Sequence, residues 1–81
     1  MNLTTLALTW TLTLTPTHGA PSAVTIHSDD VRACLATANK IVREQALSLD
    51  EWSVVCDNGH MAYHKGEGKK WGRFLINSEG A

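Results

Sequence analysis

The sequence predicts an α+β domain in which one helix packs on a three-stranded antiparallel β-meander and one disulfide joins the two. Three observations carry that reading: an apolar stripe at helical spacing from Val31 to Val42, an Asn58-Gly59 pair between two short β-type runs, and two cysteines, one in each region. With 81 residues there is room for one domain, and a core of that size is marginal without a staple.

The helix is expected over about Asp29 to Ala46. Ser28 is a suitable N-cap, and Asp29 and Asp30 complement the positive end of the helix dipole. Val31, Cys34, Leu35, Ala38, Ile41 and Val42 fall on one stripe, while Arg32, Asn39, Lys40, Arg43 and Glu44 take the other side.

Trp52 to Cys56 reads as the first strand of the meander, and Asn58-Gly59 as a two-residue turn leading into a second strand, His60 to His64. That turn pairs Cys56 with Met61 and places Trp52, Val54, Cys56, Met61 and Tyr63 on one face. Cys34 lies on the helix stripe and Cys56 on this strand face, so a Cys34–Cys56 disulfide between helix and sheet is expected. The loop Lys65-Gly66-Glu67-Gly68 leads to a third strand, Lys69 to Asn77. Counted as four residues, it directs Gly72, Phe74 and Ile76 to the core and Trp71, Arg73 and Leu75 outward; an odd loop reverses every one of these.

The opening segment admits two readings. Leu3 to Leu14 is apolar and uncharged, Pro16 ends it, small residues follow, and the first charge in the chain is Asp29. This is the pattern of a signal peptide over residues 1–19, cut between 19 and 23, with a domain over 24–81, although no basic residue precedes the apolar core. Against it, Leu6, Leu8, Trp10, Leu12 and Leu14 alternate with Ala7, Thr9, Thr11 and Thr13, as in a half-buried strand. The sequence reading favours the leader, hence a secreted or periplasmic protein; the alternative is a cytoplasmic one with a fourth, N-terminal strand. A membrane span is not expected in the mature form, because five of the twelve residues from Leu3 to Leu14 are Thr.

Net charge is −1, which gives no overall bias toward nucleic acid. Its distribution is uneven: Lys65, Lys69, Lys70 and Arg73 stand against Glu67 alone in the stretch 60–73. With the even loop, Trp71, Arg73 and Leu75 share an outer face with Val55, His60 and His64. A mixed aromatic, aliphatic and basic surface of this kind suits a protein partner. The leading expectation is non-enzymatic: a small secreted binding protein of effector or inhibitor type, with Trp71, His64, Arg73, Val55, Leu75 and His60 at its site.

Two other chemistries are weighed. A ribonuclease-like site needs His60, His64, Glu67 and Arg73 to converge on a phosphodiester. Single-stranded RNA binding would use Tyr63 or Trp71 as stacking platforms beside Lys69, Lys70 and Arg73. No cofactor or metal is expected. His60 and His64 lie about 13 Å apart along an extended strand, Cys56 is assigned to a disulfide, and Gly66-Glu67-Gly68-Lys69-Lys70 lacks the spacing of a phosphate loop.

Overall fold

A computed structural model describes residues 9–66 and 70–76 of the chain. The fold is α+β: β1 (Trp10–Pro16), β2 (Ser22–Ile26), α1 (Val31–Glu44), β3 (Trp52–Asp57), β4 (Met61–Lys65) and β5 (Trp71–Leu75). The strands form one antiparallel sheet in the order β2-β1-β3-β4-β5.

Five strands replace the expected three, and both additions come from the residues before the helix. From Trp10 onward the Leu/Thr alternation is strand, Leu6 and Leu8 lying outside the described residues: Trp10, Leu12 and Leu14 are buried, and β1 lies in the sheet interior between β2 and β3. Thr11, Thr13 and Thr15 point to the opposite face, as period two requires. The β1–β2 connection closes through Gly19 (φ +145°), where an added Cβ would stand 3.1 Å from Pro16 Cγ. The expected leader and the observed strand thus draw on the same residues, and removing residues 1–19 would take β1 out of the core.

The helix starts two residues later than the sequence predicts. Asp30, not Ser28, is the N-cap: its Oδ1 accepts from the Arg32 backbone N–H at 2.9 Å, while Ser28 Oγ accepts from the Asp30 N–H at 3.1 Å. At the C-terminal end Leu47 N–H donates to Val42 O (3.0 Å) and Ala46 N–H to Arg43 O (3.3 Å), with Ala46 at φ 51°. This is a Schellman closure with alanine in the left-handed position that glycine favours. Cys34 and Ala38 are buried along the stripe, and Cys34 is bonded to Cys56 with a Cα–Cα distance of 6.2 Å, as expected.

The β3–β4 register is displaced by two residues. Cys56 pairs with Tyr63 rather than Met61, and the turn is centred on Gly59-His60 rather than Asn58-Gly59. Asn58 explains the shift: its Oδ1 accepts from the N–H groups of His60 (2.9 Å) and Met61 (3.0 Å), so it closes the turn instead of occupying it. Gly59, at φ +92°, supplies the left-handed residue. A shift of two conserves parity, so Trp52, Val54, Cys56, Met61 and Tyr63 still face the helix.

The β4–β5 connection has the other parity. Lys65 pairs with Trp71, His64 with Gly72 and Tyr63 with Arg73, leaving five residues between Lys65 and Trp71 instead of the expected four. Trp71, Arg73 and Leu75 therefore share the helix side, and Phe74 and Ile76 are not core residues. The odd register packs the indole of Trp71 against the core cluster and leaves the smaller Phe74 and Ile76 exposed.

Candidate interaction surface

Helix α1 lies across β1 and β3. There it covers a core of Trp10, Leu12, Leu14, Val54 and Cys56 beneath Cys34 and Ala38. The sheet continues beyond this cover for two more strands. On the helix side, β4 and β5 present three cross-strand rows: Met61 with Leu75, Tyr63 with Arg73, and Lys65 with Trp71. We call this region the shoulder.

Its inner part is tied to the core. The Tyr63 ring lies 5.9 Å from that of Trp10 at 55°, a tilted arrangement favourable for aromatic pairs. Lys65 Nζ stands 5.2 Å from the centroid of the Trp71 ring, within cation–π range. Trp71 is half-buried, and its Nε1–H is shielded from solvent with no acceptor among the described residues. Toward the edge the packing ends: Leu75 is 62% exposed on this side, and Phe74, on the other face of β5, is 48% exposed.

The six residues singled out from the sequence are divided by this geometry. Trp71, Arg73 and Leu75 lie on the helix side of β5, whereas Val55 and His64 oppose each other on the far face. His60 sits in the β3–β4 turn, where its carbonyl accepts from Ile76 N–H at 3.0 Å. No single outer face unites them: the odd loop reverses β5, and the Asn58 turn takes His60 out of the strand. Phe74 and Ile76, expected in the core, are surface residues, and the odd loop parity is the signal that identifies them.

The far face has no covering element among the described residues. It carries Thr11, Thr13 and Thr15, then Ser53, Val55, Asp57, Ala62 and His64, and finally Gly72 and Phe74. Near its end is an open depression of about 450 Å³ lined by residues including Thr15, Pro16, Trp52, Ser53, His64 and Lys65. Thr17 closes one rim by donating its N–H and Oγ1 to the Glu51 carbonyl, at 2.8 and 3.0 Å.

For the other chemistries the arrangement is less suited. His64 and Arg73 lie on opposite sides of the β4–β5 ribbon, and His60 belongs to the turn. Glu67 and Lys69 fall outside the described residues. Among the described residues no three His, Cys, Asp or Glu side chains are grouped to hold a metal ion, and no helix is long and apolar enough to cross a membrane. Comparisons with protein-family models, curated proteins and solved structures gave no match to this chain.

Proposed function

We propose that this is a small binding protein that engages a protein partner through the β4–β5 shoulder, with Trp71, Arg73 and Leu75 at the centre of the contact. The observation that carries the reading is the largely exposed Leu75 on the helix side of the edge strand β5, beside half-buried Trp71 and exposed Arg73, with Phe74 exposed on the other face of the same strand. Apolar surface gathered in this way, with an aromatic and an arginine beside it, has the composition of interface centres. Val55 and His64, on the far face, are not part of this contact.

Secretion, and a role of effector or inhibitor type, remain part of the proposal. Their support is the Cys34–Cys56 disulfide, which belongs with an oxidising compartment. In this form of the proposal the working protein keeps β1, since the sheet is built around it.

The test compares wild type and Leu75→Glu, each immobilised and exposed to the proteins of its native surroundings, with bound proteins quantified by mass spectrometry. Leu75 is largely exposed, so the variant is expected to melt at the wild-type temperature and to retain the partner about tenfold less. Equal retention by both would overturn the reading.

One pair of contacts favours a second reading, single-stranded RNA binding. Tyr63 with Arg73 and Lys65 with Trp71 place aromatic and basic groups on one face. RNA affinity that falls steeply with salt would support it.

A further inference from the structure

We propose that β5 pairs with β5 of a second copy of this chain, antiparallel about a two-fold axis at Phe74, so that two five-stranded sheets join into one. The proposal rests on reading β5 as the interaction element and names its first partner.

The argument begins with the backbone. Ile76 N–H donates to His60 O (3.0 Å) and Gly66 N–H to Lys70 O (3.2 Å). With the β4–β5 register, these two bonds set the alternation of the ladder: Gly72, Phe74 and Ile76 turn their N–H and C=O groups toward β4. Trp71, Arg73 and Leu75 turn theirs to the open edge, where no strand lies among the described residues. Three residues thus present donor and acceptor together at the spacing an added strand requires.

The side chains select the occupant and the register. A two-fold axis normal to the sheet sets residues of like facing opposite one another, so the central pair is either Arg73 with Arg73 or Phe74 with Phe74. The first places like charges directly opposite, which is destabilising. The second places Phe74 against Phe74 of the second copy in a non-hydrogen-bonded pair, where Cα atoms approach to about 4.5 Å. It also sets Arg73 opposite Leu75 of the second copy, with its aliphatic stem against the leucine, and Gly72 opposite Ile76. The outward-facing groups at Arg73 and Leu75 are those this register bonds. The same pairing covers the exposed Phe74, Leu75 and Ile76.

The other edge does not offer this. The β2 strand is Ser22-Ala23-Val24-Thr25-Ile26, preceded by Pro21, and its side chains are mostly small or polar. In the joined sheet both helices lie on one face, with axes about 30 Å apart at a strand spacing near 4.8 Å. The trough between them is floored by Tyr63, Trp71, Arg73 and Leu75 from both copies. A contact of this extent is at the low end for specific interfaces, so a micromolar dissociation constant is expected.

The experiment is sedimentation equilibrium of the full chain over a wide concentration range, with Phe74→Glu and Val24→Glu in parallel and amide exchange followed by NMR. The expected result is a monomer–dimer equilibrium in wild type and Val24→Glu, weakened about a hundredfold in Phe74→Glu, which sets two carboxylates opposite each other. The amides of Trp71, Arg73 and Leu75 should exchange slowly only where dimer is present. If Phe74→Glu does not fold, Arg73→Pro replaces it, because it removes an outward N–H without breaking a bond to β4.

Monomeric wild type throughout, or a dimer lost in Val24→Glu and retained in Phe74→Glu, would overturn the proposal. Monomeric wild type whose partner retention still depends on Leu75 would overturn self-pairing alone. Monomeric wild type with retention indifferent to Leu75 would remove the interaction reading as well.

Discussion

The two halves of this sheet are finished differently. Over β1 and β3, α1 supplies a lid, the Cys34–Cys56 disulfide fastens it, and Leu12, Val54, Cys34 and Cys56 have no solvent exposure. Over β4 and β5 the strands continue without comparable helix cover, and by Leu75 the side chain is 62% exposed. Fold stability is therefore concentrated in one half, which leaves the other free to meet a partner without dismantling the core.

The largest effect that would break this contrast is a core truncation. Leu12→Ala removes a fully buried side chain from the central part of the sheet and should cost about 3 kcal/mol, within the usual range for leucine truncations. Leu75→Ala, on the same side of the sheet, should change stability by less than about 0.5 kcal/mol. Urea denaturation of the two variants checks this. Equal losses would mean that the shoulder is as much core as the stapled half.

Next in size is the staple itself. The disulfide joins residues 22 apart in sequence, and the chain-entropy account assigns such a loop about 3 kcal/mol. The paired Cys34→Ala, Cys56→Ala variant should lose about that much, plus the packing of two buried sulfurs. Its helix should unlock while the β1–β3 ladder, in the sheet interior, remains the last structure to exchange. A variant whose strands lose protection together with the helix would show that the two halves unfold as one.

How much of this contrast can be read from the chain depends on which signals are local. The helix stripe, the pairing of Cys34 with Cys56 and the facing of β3 and β4 follow from periodicity, and periodicity survives a register slip of two. The slip came from the Asn58 side chain, which competes for the turn amides in a way a dipeptide signal does not encode. The facing of Trp71 depended on whether one glycine-rich loop held four residues or five, a choice decided by tertiary packing of the indole. The Leu/Thr segment carries strand and leader patterns at once, and local pattern does not reveal that Trp10, Leu12 and Leu14 are buried in the fold. The candidate site is divided most, because the odd loop turns Trp71, Arg73 and Leu75 to the helix side while the slip at Asn58 draws His60 into the turn.

The smallest effect sharpens the comparison at the helix start. The carboxyl of Asp30 is held below its ordinary value of 3.8 chiefly by the side chain of Arg32, whose Nε and Nη2 donate at 3.2 and 3.0 Å, and next by the Arg32 backbone N–H it caps. Arg32 is 85% exposed, so the ion pair itself adds little in water and the cap carries the effect. A carboxylate with a depressed value in the fold contributes stability above its unfolded value, and that contribution fades as pH falls through the lower, folded one. Wild type should therefore exceed Asp30→Ala in stability at neutral pH, with the gap closing on acidification below about pH 4. Paired melting curves across that range give the gap, and a gap independent of pH would assign the cap's effect to something other than the charge on Asp30. Amide exchange under the same conditions should show the first turn of α1 loosening while Trp71, Arg73 and Leu75 are unaffected, since the cap acts on the stapled half alone.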